Sequence, residues 1–248
     1  MISLPSHLWA ARHGESAGNV ARDRALTSGS KVIELTGRDM DVPLSELGRH
    51  QSEALGRWFG ALPHEQRPEV ILSSPYLRAV NTATIVKQHC APDAVLIVDE
   101  RLREKEFGAL DRLTKSGIED RFPDEAGLRA AIGKFYYRPP SGESWCDVIL
   151  RLRSAYETIC LHYQGRRVLI VSHQVVVLCF RYLIEKLDEK TLLRIDAAGD
   201  VANCAVTEYE QRNNDGNHEL ALLRYNFVAP LQRDGTPVTA PRDIAVSK

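Results

Sequence analysis

No excess of charge, cysteine or apolar sequence singles this chain out. Basic and acidic residues nearly cancel, 32 against 33, leaving a net charge of -1. That balance excludes a global field for nucleic acid or an anionic membrane, though a local basic pocket is still allowed. No C-x-x-C pair occurs among the five cysteines, Cys90, Cys146, Cys160, Cys179 and Cys204. An odd, unpatterned set argues against a disulfide framework and predicts reduced thiols in a cytoplasmic protein. Long apolar runs are also missing. The longest, near 168–180, is interrupted by Ser172-His173-Gln174 and is too short to span a bilayer. The first residues lack a basic segment followed by a long apolar run, so no signal peptide is expected. Internal repeats are absent as well. Neither a nucleic-acid nor a membrane partner is expected, and the oligomeric state is not readable from the sequence.

What is present is ordinary globular material arranged in an informative order. A hydrophobic fraction of 44% over 248 residues is enough to bury a real core. The runs "LWAA" (8–11), "EVILSS" (69–74), "AVLIVDE" (94–100) and "VLIVS" (168–172) read as short buried strands. "PYLRAVNTATIVKQHC" and "VVVLCFRYLIEKL" read as helices, the first with Ser74 as its cap and Pro75 in its first turn. "VANCAVTEYE" (201–210) and "ELALLRYNF" (219–227) read as two last strands, joined as a hairpin around "RNNDGN". Continuous apolar strands alternating with helices predict an α/β fold: a doubly wound, mostly parallel sheet with helices on both faces. The polar, Gly/Pro-punctuated stretch at about 107–147 reads as a helical and loop cap inserted over the site. One domain is expected over 1–228, followed by an extended or disordered tail over 229–248.

Sites in such sheets form beyond the carboxyl ends of the strands. Two histidines stand there. "ARHGESAGN" places Arg12 and His13 after the first strand, and "VSHQ" places His173 after the fourth. A neutral imidazole is a competent covalent nucleophile, and an adjacent guanidinium binds a phosphoryl group with paired, charge-assisted hydrogen bonds. A lone histidine in a turn is more often structural, so R-H-G carries little by itself. Arg78 adds to it, falling at another strand's carboxyl end near a helix N-terminus, where anions are favoured. The backbone N–H of Gln174 is available to the same anion hole. Glu104 follows the third strand; a carboxyl group held near a phosphate dianion has its pKa raised and can protonate a leaving alkoxide. Two arginines, two histidines and one acid meet the needs of phosphoryl transfer.

Five blocks in order, "RHGESAGN", "TGRDMDVPLSELG", "LSSPYLRAVNTA", "RLREKEFGALD" and "VSHQ", with "RPPSGES" as a looser sixth, resemble the histidine phosphatase superfamily, the phosphoglycerate mutase-like proteins. The resemblance runs from about residue 8 to 210 and implies roles residue by residue. His13 matches the histidine that becomes phosphorylated. Arg12, Arg78 and His173 match the phosphate pocket around it, and Glu104 matches the proton donor. Asn19 matches a phosphate-contacting asparagine, and Thr36 and Gly37 match a Thr-Gly pair that lines the site in mutases. No metal is implied, because the arginines supply the charge. Glu15 is assigned a supporting role, Glu106 simple exposure, and Ser16 the start of a helix.

Three readings of the activity follow: a phosphomonoester phosphatase, a mutase primed by 2,3-bisphosphoglycerate, and a non-catalytic module that binds a phosphorylated ligand. The last requires a damaged site, and no catalytic position is damaged. For the mutase, "EKEFGALDRLTK" resembles that branch, and Lys115 matches its substrate-contacting lysine. Against it, Phe107 replaces the mutase tyrosine, Gln174 follows His173 where mutases have glycine, and no paired-arginine block follows in the cap. Gln174 and "YYRPPSGESW" resemble fructose-2,6-bisphosphatase domains instead. Ser141 and Leu178, however, stand where two basic groups clamp the sugar phosphate there. A phosphatase without added cofactor, acting on a small phosphorylated metabolite, is the favoured expectation. Lys115, Tyr137 and Arg138 are candidate contacts from the cap.

Overall fold

A computed structural model describes residues 4–214 and 217–240. Strand β1 (His7–Arg12) leads to helices α1 (Ala17–Thr27) and α2 (Glu46–Gly60). Strand β2 (Val70–Ser73), helix α3 (Leu77–Cys90) and strand β3 (Val95–Val98) follow. The polar insert carries α4 (Lys115–Arg121) and α5 (Pro123–Ile132). The chain then forms α6 (Trp145–His162), β4 (Arg167–Ser172), α7 (Gln174–Ile184) and α8 (Glu189–Ala198). It continues through β5 (Val206–Asn214) and β6 (Asn217–Phe227) to α9 (Ala229–Asp234).

The sheet runs in the order β3-β2-β4-β1-β5-β6. Its first four strands are parallel, and β5 and β6 add an antiparallel pair at one edge. Strand residues alternate between two faces, as the two-residue period requires. Leu8, Ala10, Val168 and Ile170 pack with Val148 and Leu152 of α6 and Val176 and Phe180 of α7. Trp9, Ala11, Leu169 and Val171 pack with Leu55 and Phe59 of α2 and Ala83 and Val86 of α3. Both faces of β1, β2 and β4 are covered, so those strands are apolar nearly throughout rather than alternating, while the edge strand β3 leaves Val95 and Val98 exposed. This is the α/β architecture expected from the sequence. The insert closes a small apolar cluster of its own, Leu110, Leu113, Ile118 and Tyr137. A capping box of Ser144 and Asp147 then starts α6. Among the described residues, no helix is long and apolar enough to cross a membrane.

Local differences from the sequence reading have identifiable causes. Ser74 does not cap α3, which starts at Leu77 with no side-chain cap; its hydroxyl is used elsewhere. The expected strand at 201–210 begins only at Val206. Cys204 has φ +54°, a left-handed conformation that breaks an extended run, and burial alone could not reveal it. The hairpin turn expected in "RNNDGN" includes Asp215 and Gly216, which lie outside the described residues.

The tail differs most. Its first part is neither extended nor unpacked: Ala229–Asp234 is a helical turn with Leu231 fully buried against Phe59 and Leu55. Arg57 of α2 grips Asp234 through two hydrogen bonds of 2.9 and 2.8 Å. Leu231, Pro230 and the Asp234 carboxylate all take part in docking a segment that shows no sequence periodicity. Residues 241–248 lie outside the described part. Leu231→Ala should therefore destabilise the protein by about 2–4 kcal/mol, the range for emptying a buried leucine site. Urea unfolding of the two proteins measures it, and a loss under about 0.5 kcal/mol would detach this helix from the core.

Candidate active site

Parallel pairing brings the sequence-distant residues together. β1 and β4 are neighbours with Arg12 opposite Ser172, and His13 N–H donates to the Ser172 carbonyl at 2.9 Å. β2 flanks β4 on its other side, where Ser74 N–H donates to the Val171 carbonyl at 3.0 Å. His13, His173 and Ser74 thus leave three adjacent strands at the same end of the sheet. The two imidazoles stand edge to face with ring centres 5.1 Å apart. Gly14 is needed at once. A Cβ there would lie 2.3 Å from the Gly48 carbonyl oxygen, and one at Gly48 would lie 1.9 Å from that of Glu15. The chain crosses the start of α2 with no room for a side chain on either side.

The His13 ring has a defined polarity. Nδ1 lies 2.6 Å from the Gly14 carbonyl oxygen, which can only accept, so Nδ1 carries the proton. Arg78 Nε–H donates to Nε2 at 3.3 Å, which requires a lone pair there. Both contacts specify the same neutral tautomer, with the electron pair on Nε2. His173 Nε2 pairs with Ser74 Oγ at 2.8 Å, and that oxygen also accepts from Tyr76 N–H at 3.2 Å. The Tyr76 ring stacks edge-on against His173, and its hydroxyl donates to Glu106 at 2.8 Å. Burial and the Glu106 carboxylate push the Tyr76 phenol well up, keeping it a neutral donor.

Around the histidines the charged groups are buried. Arg12 is fully enclosed, with Nη1 donating to the Val201 carbonyl at 2.6 Å. Arg78, on the first turn of α3, lines a pocket with Ser16, Asn19, Arg22, Asp39, Glu104 and Phe107. Glu104 is 2% exposed, and its Oε1 accepts from Lys105 N–H at 2.7 Å, which sets the carboxyl orientation. Arg151 secures the loop beneath it through the carbonyls of Arg101 and Glu104. Asn19 and Ser16 form the capping box of α1, so the Asn19 amide is fixed while its residue faces the pocket. Gln174 opens α7, which has no side-chain cap, and its Nε2 donates to Asp200 at 3.0 Å. The α7 N-terminus therefore turns its partial positive charge toward the space beside His173. Among the described residues, no group of three His, Cys, Asp or Glu side chains could hold a metal ion.

Several sequence candidates lie elsewhere. Thr36 and Gly37 are exposed, Thr36 on an outer groove, and Arg112 holds the Leu35 and Gly37 carbonyls. Their place beside the arginine is taken by Asp39, on the short helical turn that follows. Lys115 is exposed at the first turn of α4 and pairs with Glu119 at 3.8 Å. Tyr137 is buried in the insert's own cluster with its hydroxyl on Glu125, and Arg138 pairs on the surface with Asp147. The insert's own folding needs thus consume the three cap contacts. Glu15 accepts from Ser45 Oγ at 2.6 Å and braces the turn, in keeping with a supporting role. Glu106 is half exposed and holds Tyr76.

Other residues of the site went unread. Arg22 lies three positions after Asn19, on the same helix face, so helical spacing was an available signal. Lys105 is buried with its ammonium 4.5 Å from the Phe107 ring centre, and burial pushes its pKa down to about 8. Asn203 Nδ2 donates to the His13 carbonyl at 3.0 Å. It sits in the broken strand at Cys204, where no pattern singles it out.

Known proteins resemble this chain in sequence and in fold. The chain is 34% identical over 178 residues to a 6-phosphofructo-2-kinase/fructose-2,6-bisphosphatase of Caenorhabditis elegans, covering 71% of this chain but only 33% of that protein. It is 27% identical to the 2,3-bisphosphoglycerate-dependent phosphoglycerate mutase 2 of Gloeobacter violaceus, covering 89% of this chain and 93% of the mutase. The solved mycobacterial glucosyl-3-phosphoglycerate phosphatase in complex with VO3 superimposes with a TM-score of 0.68 at 26% identity, covering 90% of this chain and 99% of the phosphatase. The model of the histidine phosphatase superfamily (branch 1) matches residues 8–223, from the first strand into the last, and the chain belongs to that superfamily.

Proposed function

We propose that this chain is a phosphomonoester phosphatase that works through a phosphohistidine on His13. The carrying observation is the ring polarity: a protonated Nδ1 anchored on Gly14 and an Nε2 lone pair presented beside Arg78. In this reading the phosphoryl group sits among Arg12, Arg78, His173 and the N-terminus of α7. Nε2 attacks phosphorus in line with the ester oxygen, and the P–O bond to the leaving group breaks. Glu104 gives its proton to the departing alkoxide. The same carboxylate then takes a proton from water, which attacks phospho-His13 and releases inorganic phosphate. Charge on the equatorial oxygens is met by guanidinium and helix N–H donors held in place before reaction.

Two observations favour hydrolysis over transfer to a second substrate. Lys115, the lysine of the mutase pattern, lies on an outer face of the insert, paired with Glu119. The pocket wall near Glu104 is the apolar ring of Phe107. A fructose bisphosphate is disfavoured as well, because Leu178 is fully buried in the core on α7 and offers nothing to a sugar phosphate. The substrate class is a small phosphomonoester.

His13→Ala should abolish turnover while leaving the folded state intact. Acid-labile, alkali-stable phosphate should appear on the wild type during turnover and be absent from the variant. Near-normal hydrolysis by the variant would remove the covalent mechanism. Assay with 3-phosphoglycerate and 2,3-bisphosphoglycerate tests the other branch, and rapid mutase turnover would replace the phosphatase reading.

Glu104 is tested by leaving groups. A sugar or glycerol alkoxide needs a proton in the transition state, whereas p-nitrophenolate is stable as an anion. Glu104→Gln should slow single-turnover phosphorylation of His13 by alkyl phosphates about a hundred-fold or more. It should slow p-nitrophenyl phosphate far less. Glu106→Gln should show no such contrast. Equal losses with both esters would make Glu104 a binding group rather than the acid.

A further inference from the structure

A carboxylate occupies the arginine that the reaction needs for phosphate. Arg78 Nη1 and Nη2 donate to Asp39 Oδ1 and Oδ2 at 3.1 and 3.0 Å. Nη1 also donates to the Asp39 backbone oxygen at 2.7 Å, and Nε faces His13 Nε2. The Arg78 side chain is 6% exposed and that of Asp39 is 38% exposed. The guanidinium is fixed inside the site, and the carboxylate approaches it from the solvent edge. A planar guanidinium presents its donors in pairs, and a carboxylate and a phosphoryl group fit such an edge with the same two-point geometry. Both cannot hold it together, because a phosphate dianion and a carboxylate side by side repel in a partly desolvated pocket.

We infer that Asp39 is a resident competitor for the phosphoryl group on Arg78. Substrate enters, and product phosphate leaves, by anion exchange with this carboxylate. The inference rests on the phosphate-binding role given to Arg78 above. Asp39 has reason to occupy the arginine when the pocket is empty. Burial first, then the Asp39 carboxylate and more weakly that of Glu106, push the Asp111 carboxyl up against the opposing charge of Arg112. Leaving Arg78 would cost Asp39 its two-point ion pair while the Asp111 carboxyl stays near it. The turn that carries it is compact. Arg38 closes it onto Asp41 at 2.8 Å, while Arg112 ties down the chain just before it at Leu35 and Gly37. The turn Asp39–Asp41 is therefore a unit that can lift away without unravelling the loop behind it. Its effect would be a site that binds the product phosphate weakly, with the Arg78 charge neutralised at rest.

Calorimetric titration with inorganic phosphate and with orthovanadate tests this on the 248-residue chain. Asp39→Ala and Asp39→Asn should bind both anions about tenfold tighter or more, the scale of losing one charge-assisted competitor. Product inhibition by phosphate should strengthen in parallel. Asp39→Glu, which keeps the charge, should not show the gain. Unchanged or weaker phosphate binding in Asp39→Ala and Asp39→Asn would overturn the proposal and make Asp39 a group that merely orients Arg78. Thermal unfolding of each variant with and without phosphate guards against misfolding, since a folded variant that binds tighter gains more in Tm from the ligand. Binding requires no turnover, so a wild type that hydrolyses no phosphomonoester would sink the phosphatase reading and leave this comparison intact.

Discussion

The register between β1 and β4 is the constraint on which the site depends. Adjacent parallel strands lie about 4.8 Å apart, and residues that leave them at matching positions stay neighbours. Arg12 opposite Ser172 makes His13 and His173 the next residues on each strand, and their rings are 5.1 Å apart for that reason. A slip of one residue would send one histidine to the opposite face and expose its apolar neighbours. The packing that holds the register is substantial: Leu8, Ala10, Val168 and Ile170 on one face, Trp9, Ala11, Leu169 and Val171 on the other, all buried. The chemistry is thus tied to the core through backbone pairing rather than through any contact between the two histidines.

Burial of so many charges at one end of the sheet has a cost that only mutual pairing and a charged ligand can offset. Arg12, Arg22, Arg78 and Glu104 are all nearly excluded from solvent. Arg12 is held by the Val201 carbonyl and Glu104 by the Lys105 N–H, so these two groups need little reorganisation when charge develops on a phosphoryl group. Preorganisation has a second consequence. In the proposed reading a pocket that holds cations this well also holds product phosphate well, and the Asp39 carboxylate on Arg78 would act against that tendency. Ser74 and Tyr76 show the same economy. The start of α3 gives up a side-chain cap, and the serine hydroxyl that might have served it steadies His173 instead.

The sheet, its two covered faces and the groups at the strand ends were legible because each rests on local pattern. Apolar runs mark buried parallel strands, and a histidine or arginine just after such a run is placed by topology. His13, His173, Arg12, Arg78 and Glu104 fall in that class. What failed was everything decided by side-chain competition over short distances. "TGRDMD" offered threonine, glycine and two aspartates to one arginine, and only the three-dimensional path of the loop selects Asp39. The insert residues Lys115, Tyr137 and Arg138 had matching types, but Glu119, Glu125 and Asp147 claim them first. Asn203 was hidden in an apolar stretch that reads as strand, and a positive φ at Cys204 cannot be seen in a sequence.

The tail shows how far such hidden contacts reach. Gln51 of α2 accepts from Glu15 N–H at 2.8 Å and donates to the Pro237 carbonyl and Thr239 Oγ1. Thr239 Oγ1 in turn donates to Asn203 Oδ1 at 3.0 Å, and its carbonyl accepts from Asn203 N–H at 2.8 Å. With its oxygen so engaged, Asn203 can present its amide hydrogens only toward the His13 carbonyl and Asn19. The peptide that carries His13 is therefore fixed on one side by Ser172 and on the other by a chain of bonds that begins in α2 and passes through the segment after α9. The Gly14 carbonyl that orients the imidazole belongs to the next peptide along. The N–H of that peptide, on Glu15, donates to Gln51, so the α2 side chain that reaches the segment after α9 also holds the carbonyl that sets the ring tautomer.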